Sequence, residues 1–245
     1  MNVYWFVMIS SNEATLAEFE SDSLQPVPAD YDGDGNTDYA VYEAGVWDIY
    51  FTNSLGHISM NFGTSSMQPV PADYDGDGLV DLGVYDPAGG MWHIFTWNGV
   101  YTSGQFGWAE AEPVPADYDG DGIADIAVYD SATGTWYMFM STAGYLTLDF
   151  GGKEYTPLPA DYDGDGRDDL MLYHQPSGYW FLFTWTGSYS EVQFGFSGAV
   201  PEPADYDGDG IVDIAVFYKS RTDATWYLFQ STAGYAVISA RMARP

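Results

Sequence analysis

The stretch Ala29–Gly35, "ADYDGDG", places three carboxylates within five positions, where their charges repel one another. The same seven letters return at 72–78, 116–122, 160–166 and 204–210. The first Asp of each copy lies at 30, 73, 117, 161 and 205, so the copies are spaced by 43 residues and then three times by 44. A constant period in this range is typical of solenoids, propellers and repeat arrays.

Each period contains the same order of short segments. In the third copy, the acidic stretch is followed by "IAVYD", "WYMFM" and "YLTLDFG", which are separated by "SATGT" and "STAG". Runs of β-branched and aromatic residues between such turns predict consecutive β-hairpins. Four short antiparallel strands per period predict one blade of an all-β β-propeller.

The repeat predicts one β-propeller domain over residues 1–245, with five complete blades favoured. The predicted blades are 25–67, 68–111, 112–155, 156–199 and 200–245. Residues 4–30 align without a gap to 135–161, so residues 1–24 are expected to be the third and fourth strands of a blade without its first two. A third-strand Trp therefore occurs six times, at 5, 47, 92, 136, 180 and 226, against five acidic loops.

The extra half-blade leaves the closure of the propeller open. The two strands could replace or extend the last blade, begin a sixth incomplete blade, or contact another molecule. A half-blade is also compatible with a chain cut from a longer array.

The acidic loop has the residue types of a calcium site. Counted from Asp30 to Asp38, carboxylates occupy positions one, three, five and nine. Close carboxylates are unfavourable unless a cation neutralises them. Oxygen ligands, no cysteine and a glycine-containing loop favour calcium over zinc, copper or magnesium. An EF-hand would need Glu at position twelve, where these loops have Val41, Val84, Val128, Leu172 and Val216.

The sequence predicts five calcium ions, one per loop, held by the four carboxylates and by the backbone carbonyl of the variable position seven. The predicted metal ligands are Asp30, Asp32, Asp34, Asn36 and Asp38; Asp73, Asp75, Asp77, Leu79 and Asp81; Asp117, Asp119, Asp121, Ile123 and Asp125; Asp161, Asp163, Asp165, Arg167 and Asp169; and Asp205, Asp207, Asp209, Ile211 and Asp213.

The segment "ADYDGDGIADIAVYD", with "FG" ending the preceding strand at Phe62-Gly63, Phe106-Gly107, Phe150-Gly151 and Phe194-Gly195, resembles the FG-GAP/VCBS-type repeat. That repeat occurs in bacterial surface proteins and in the integrin α-subunit propeller. The resemblance implies calcium ligation by positions one, three, five and nine and by the carbonyl at seven. It departs at the last unit, where Ala240-Arg241 replaces "FG".

The net charge, the lengths of the apolar runs and the predicted calcium sites limit the partners and the location that we expect for this chain. The chain has 36 acidic and six basic residues, a formal net charge of −30, and it has no cysteine. This surface repels phosphate backbones and anionic lipid, so we expect no nucleic-acid partner. No apolar run is long enough for a membrane helix, so we expect no membrane insertion. Calcium sites of extracellular modules, with Kd values of roughly 10⁻⁴–10⁻³ M, would be filled outside a cell, so we expect an extracellular or cell-surface location.

The sequence favours a non-catalytic recognition or adhesion module for a glycan or a surface protein. The only histidines, His57, His93 and His174, occupy different places in their blades, and no nucleophile motif stands out. Trp97 and Trp185, in "FTWNGVY" and "FTWTGSY", are predicted to be exposed near a rim turn, where they could stack on a sugar; the alternative is that they fill the turn. Two other functions stay open: a structural unit of a fibre or array that self-associates through the half-blade, and an accessory domain of a polysaccharide-degrading enzyme.

Overall fold

A computed structural model describes residues 3–10, 13–19, 23–54, 56–220 and 223–241. Residues 1, 2, 11, 12 and 20–22 of the predicted half-blade lie outside the described residues. The described part of the chain forms strands, turns and loops and contains no helix. It therefore offers no helical segment with the length and apolarity of a membrane span.

The contacts divide the chain into two compact units, residues 1–105 and residues 106–245. The first unit begins with a two-stranded antiparallel sheet, β1 (Val3–Ser10) and β2 (Glu13–Phe19). In this sheet Trp5 lies opposite Ala17, as Trp136 lies opposite Leu148 in the third blade. β1 and β2 thus pair with the same register as the third and fourth strands of the third blade.

The first unit continues with two four-stranded antiparallel blades. The first blade is formed by β3 (Gln25–Pro26), β4 (Tyr39–Glu43), β5 (Val46–Tyr50) and β6 (His57–Asn61). The second blade is formed by β7 (Gln68–Pro69), β8 (Leu82–Asp86), β9 (Met91–Phe95) and β10 (Tyr101–Gln105). Within each of these blades, strands that are consecutive in the chain pair with one another.

The second unit contains three blades with the same strand order. The third blade is formed by β11 (Glu112–Pro113), β12 (Ile126–Asp130), β13 (Thr135–Met140) and β14 (Gly144–Asp149). The fourth is formed by β15 (Tyr155–Pro157), β16 (Leu170–His174), β17 (Tyr179–Phe183) and β18 (Tyr189–Gln193). The fifth is formed by β19 (Val200–Pro201), β20 (Ile214–Lys219), β21 (Asp223–Gln230) and β22 (Gly234–Arg241).

These sheets are the blades of a β-propeller, so the predicted all-β fold class with five four-stranded blades is confirmed. The first strand of the fourth blade begins at Tyr155, one residue before the predicted start of that blade.

The second strand of the fourth blade is buried on both faces because a blade lies on either side of it. In β16, Leu170 and Leu172 pack into a core cluster with residues of the third blade. The alternate residues Met171 and Tyr173 pack into a cluster that includes Val216 of the fifth blade. Successive strand residues point to opposite faces, so a continuous apolar run is the pattern that this position requires.

The repeated Trp and the "FG" pair fasten the fourth strand to the third. Trp136 is fully buried, and its indole N–H donates to the carbonyl of Phe150 at 2.9 Å. Gly151, which follows, has φ of 118° and lies against the Tyr129 hydroxyl, so an added Cβ would collide with that oxygen. Glycine is therefore required at this position.

Candidate metal centres in the acidic loops

Each acidic loop connects the first and second strands of its blade, as the sequence predicts. In the first blade, the loop is closed by a bridge between Ala29 and Asp38, in which the Asp38 N–H donates to the Ala29 carbonyl at 2.7 Å. The four other loops have the same bridge. A nine-residue turn is thus held at both of its ends by the sheet.

Position one organises the turn through its own carboxylate. Asp30 Oδ1 accepts from the Gly33 N–H and Asp30 Oδ2 accepts from the Gly35 N–H, both at 2.8 Å. Gly33 and Gly35 have φ of 76° and 82°, a conformation that side-chain-bearing residues rarely adopt. The same pair of hydrogen bonds occurs in all five loops.

Position nine is the buried end of each cluster. The five side chains, Asp38, Asp81, Asp125, Asp169 and Asp213, are at most 2% exposed. In every loop its Oδ2 accepts the N–H of the tyrosine at position two, as in Tyr118 to Asp125 at 3.0 Å. In four loops the Oδ1 accepts a backbone N–H at the end of the third strand, as in Ser141 to Asp125 at 2.7 Å. In the fourth loop, Asp169 Oδ1 is buried without a hydrogen-bond partner.

Position three points one oxygen into the cluster. In the third blade, Asp119 Oδ2 accepts from the Thr142 hydroxyl at 2.6 Å and from the Ala143 N–H at 2.8 Å. Its other oxygen, Oδ1, is buried and unpaired, as are the same atoms of Asp75 and Asp207. A buried polar atom without a partner is costly, so an unpaired carboxylate oxygen calls for a positive ligand.

Position five is placed differently from the other three carboxylates. Its Oδ1 accepts the position-seven N–H in all five loops, as in Asp121 from Ile123 at 2.9 Å. Its Oδ2 is bonded in three blades by a side chain of the hairpin between the third and fourth strands, Asn53, Ser141 or Ser231.

The structure brings together the carboxylates of positions one, three and nine. In every loop one oxygen from each lies within 4.8 Å of the other two: Asp30, Asp32 and Asp38; Asp73, Asp75 and Asp81; Asp117, Asp119 and Asp125; Asp161, Asp163 and Asp169; Asp205, Asp207 and Asp213. Three converging carboxylates, a glycine-bearing loop and an unpaired oxygen fit a hard divalent cation. Each of the five loops could therefore hold one metal ion.

Burial and the repulsion among the converging carboxylates raise the pKa values of three aspartates at position nine. Burial, and then the charge of neighbouring carboxylates such as Asp75, raise the pKa of Asp81 to about 6. The same causes raise the pKa of Asp125 to about 6 and that of Asp169 to about 7. Two of these groups thus titrate below neutral pH and one close to it, since desolvation and like charges both disfavour the carboxylate.

Sequence reasoning did not identify the hairpin that supports the loop. Besides Asn53, the hairpin between the third and fourth strands supplies Asn98, Ser141, Thr142, Ser231 and Thr232 as donors to positions three and five. The signal for it is the "STAG" segment, which occurs at 141–144 and again at 231–234. Asp119 and Thr142 are 23 residues apart, so only the pairing of the strands reveals the contact.

Trp97 and Trp185 are not the exposed rim side chains that the sequence predicted. Both are partly buried against the core clusters. The Trp97 indole N–H donates to the Val80 carbonyl, and the Trp185 indole N–H donates to the Asp168 carbonyl, both at 2.8 Å. Each ring therefore packs against an acidic loop, and the binding of sugar by these rings stays a prediction.

Other aromatic side chains are exposed at the hairpin between the third and fourth strands. Every blade has an aromatic pair across it: Tyr50 with His57, Phe95 with Tyr101, Phe139 with Tyr145, Phe183 with Tyr189, and Phe229 with Tyr235. Tyr145 and Tyr235 are 59% and 63% exposed. Periodicity alone could not separate these rings from the buried ones.

Comparison with known proteins supports the repeat and the fold. Residues 161–216, which contain the fourth and fifth acidic loops, match a family described as FG-GAP-like repeat, which confirms the resemblance seen in the sequence. No curated protein sequence matches the chain.

Three solved structures show the likeness in fold. A lectin of Agrocybe aegerita, described as recognising non-reducing terminal N-acetylglucosamine, has 16% identity and a TM-score of 0.60 over 97% of this chain and 73% of its own. An inactive variant of virginiamycin B lyase from Staphylococcus aureus, with quinupristin, has 9% identity and a TM-score of 0.55 over 100% and 76%. BBS1N in complex with ARL6DN has 12% identity and a TM-score of 0.52 over 93% and 78%. At these identities the likeness concerns the fold alone.

Proposed function

We propose that this β-propeller with an FG-GAP-like repeat is a calcium-binding recognition module that has no catalytic activity of its own. The observation that carries the calcium proposal is the set of buried, unpaired carboxylate oxygens on Asp75, Asp119, Asp169 and Asp207. Each lies in a three-carboxylate cluster, and a calcium ion would supply the missing partner. Calcium is favoured over magnesium, which binds fewer protein carboxylates and keeps more of its water.

An extracellular or cell-surface location follows from the same loops. Loops of this kind in extracellular modules bind calcium with Kd values of roughly 10⁻⁴–10⁻³ M, so that they are filled outside the cell and nearly empty in cytosol. Calcium would then fill and stiffen the acidic loops only after the protein has left the cell.

Calcium titration of the metal-stripped protein, followed by melting temperature, tests this proposal. We expect a saturable rise with calcium, a much smaller rise with magnesium, and five ions per chain by equilibrium dialysis. Equal responses to the two metals, or none to calcium, would refute the calcium assignment.

The ligand that we propose is a glycan or a surface protein, bound on the exposed aromatic hairpins. Exposed rings give large contact area at low entropic cost, and their faces suit apolar sugar faces or protein side chains. Between the first and second blades a pocket of about 210 Å³ is lined by Phe62, Thr64, Met67, His93 and Tyr101, among others. The likeness to a lectin supports a glycan and the likeness to a component of a protein complex supports a protein, each by fold alone.

Glycan-array binding in calcium tests the recognition proposal. Tyr101→Ala, in the pocket, is expected to reduce binding at least tenfold without changing the melting temperature in calcium. Trp97→Ala is the comparison variant, because its ring packs on the acidic loop, and it is expected to reduce calcium stabilisation. Sugar cleavage by the chain alone would contradict the non-catalytic assignment.

A second candidate, assembly into a fibre or array, is favoured by the half-blade. Within the first unit, β1 has β2 as its hydrogen-bonded neighbour, whereas the equivalent strand of every complete blade pairs on both edges. An open strand edge is a template for another chain. Sedimentation of the full chain and of a chain without residues 1–22 tests this candidate, since concentration-dependent assembly is expected only for the full chain.

A further inference from the structure

The fourth acidic loop differs from the others at both of its variable positions. Positions seven and eight are Arg167 and Asp168, whereas the fifth loop has Ile211 and Val212. These two charged residues are directed at the loop of the preceding blade: Asp168 accepts the Asp117 N–H, and Arg167 donates to the Tyr118 carbonyl.

Neighbouring acidic loops within a unit are linked by one backbone hydrogen bond. The position-eight N–H of one loop donates to the position-one carbonyl of the preceding loop. This bond joins Val80 to Asp30 at 3.0 Å, Asp168 to Asp117 at 2.8 Å, and Val212 to Asp161 at 2.9 Å. Position one is a carboxylate of the cluster, so the link connects one candidate metal site to the next.

The junction of blades three and four has a set of additional contacts. The Asp117 N–H donates back to Asp168 Oδ2 at 2.7 Å. Arg167 donates from Nε and Nη2 to the Tyr118 carbonyl at 3.1 and 2.9 Å. The guanidinium lies 4.9 Å from the centre of the Trp185 ring, and that ring donates its N–H to the Asp168 carbonyl.

Arg167 also brings a fixed positive charge to the third acidic cluster. Its stem passes Gly120, where an added Cβ would lie 2.7 Å from Arg167 Cγ. Its guanidinium is bonded to the carbonyl of Tyr118, which lies in the chain between the cluster aspartates Asp117 and Asp119. A positive charge at this place opposes the carboxylate repulsion that a metal ion would otherwise have to offset.

We propose that Arg167 and Asp168 form a clamp that keeps the acidic loops of blades three and four together when no metal ion is bound. The junction of blades four and five has the Val212 to Asp161 hydrogen bond and the contact of Ile211 with Gly164, so its order depends more strongly on the metal. The chain would respond to falling calcium in stages, with the third and fourth blades loosening last. This staging rests on the calcium binding proposed above, whereas the clamp itself does not.

Site-resolved amide exchange of the full chain in chelator tests the clamp without any mutation. The N–H groups of Asp168 and Val212 occupy the same loop position and make the same inter-blade hydrogen bond. After correction for intrinsic rates, we expect the Asp168 amide to exchange at least fivefold more slowly than the Val212 amide. A smaller difference overturns the proposal.

A variant carrying Arg167→Ile and Asp168→Val, the residues of the fifth loop, removes the clamp. In chelator its residue-168 amide is expected to exchange within twofold of the Val212 amide. Asp168→Asn is the matched control, because it keeps an acceptor for the Asp117 N–H and should retain slow exchange. Unchanged slow exchange in the double variant overturns the clamp. If that variant does not fold, the comparison of the Asp168 and Val212 amides in the unmutated chain decides the question.

The outcomes separate the clamp from the proposed function. If calcium changes exchange at none of the five loops, calcium binding fails while the fivefold difference in chelator still decides the clamp. If calcium slows exchange at every loop but Asp168 and Val212 are alike in chelator, the clamp fails and calcium binding stands.

Discussion

At the scale of single residues, the aspartates of the acidic loop look equivalent in the sequence but differ in their hydrogen-bond partners and in their burial. Position one caps two glycine N–H groups, position five caps the position-seven N–H, and position nine is buried against the tyrosine N–H. Position three keeps a free buried oxygen in three loops. The cation-binding capacity thus depends on which oxygens the backbone leaves unpaired.

Asp169→Asn is predicted to have opposite effects with and without metal. The Asp169 Oδ1 atom is unpaired and its carboxylate lies beside those of Asp161 and Asp163, so removing the charge relieves repulsion in the metal-free protein. At pH 8 the melting temperature in chelator should be higher than that of the parent. The rise in melting temperature on adding calcium should be smaller, by about the contribution of one of the five sites. Differential scanning calorimetry measures both, and a fall in chelator would contradict the assignment.

The stability of the metal-free protein is predicted to decrease between about pH 4 and pH 7. The pKa values of Asp81, Asp125 and Asp169 are about 6, 6 and 7 in the folded protein, above the usual 3.8. A raised pKa means that folding favours the protonated form, so this stabilisation is complete below pH 3.8 and is lost as the pH rises through 6 to 7.

Calcium is expected to reverse this trend, because ligation needs the ionised carboxylates. Melting temperatures across the pH range, in chelator and in calcium, check both directions. Parallel curves would show that the position-nine aspartates do not bind the ion. The Asp169→Asn variant should flatten the part of the chelator curve near pH 7.

At the scale of elements, the candidate metal centres of the first, second, third and fifth blades are each built from two connections in one blade. The loop between the first and second strands supplies the carboxylates, and the hairpin between the third and fourth strands supplies donors that orient them, such as Thr142 on Asp119. The intervening strands fix both ends. In the second, fourth and fifth blades the side chain at position seven packs on the preceding loop, as Leu79 does on Gly33.

Gly33→Ala and Gly208→Ala are predicted to differ, although both replace position four of an acidic loop. Their φ values are 76° and 80°, so both should lose about 1–2 kcal/mol from the left-handed backbone. At Gly33 the new Cβ would lie 2.6 Å from Leu79 Cδ2, whereas at Gly208 nothing lies within 4 Å. Chemical denaturation in calcium should show a further loss of up to about 1 kcal/mol for Gly33→Ala, as Leu79 leaves its rotamer. Equal losses would show that the contact between the loops is unimportant.

At the scale of the whole molecule, the negative charge of the chain opposes folding. The formal net charge is −30, and five divalent ions would bring it to −20. Much of the repulsion is concentrated in the clusters, but the remainder is spread over a surface with few basic residues. Net charge far from zero keeps a protein soluble and destabilises its compact state.

Sodium chloride is predicted to stabilise the metal-free protein more than the calcium-loaded protein. Raising the ionic strength from 0.01 M to 0.15 M shortens the Debye length from about 30 to about 8 Å, which screens repulsion between distant carboxylates. Melting temperatures in chelator should rise over this range, and those in saturating calcium should rise less. Potassium chloride is the control, because screening does not distinguish the two cations.

The features that could be predicted from the sequence are local ones: the repeat period, the strand order within a blade, and a loop in which carboxylates converge. The sequence predicts four converging carboxylates per loop, and the structure groups those of positions one, three and nine. These features depend on glycines at positive φ and on apolar runs of strand length, and both are encoded by residues close together in the chain. The prediction of a half-blade also rests on a local pattern, the alignment of 4–30 with 135–161.

Three features required the folded chain: which carboxylate oxygens stay free, where Trp97 and Trp185 lie, and how neighbouring loops are joined. Thr142 and Asp119 are 23 residues apart, and Arg167 and Tyr118 are 49 apart. Such contacts depend on strand pairing and on the packing of one blade against the next. The same letters, "ADYDGDG", therefore acquire different neighbours in different blades, and those neighbours decide how each cluster offsets the repulsion of its own charges.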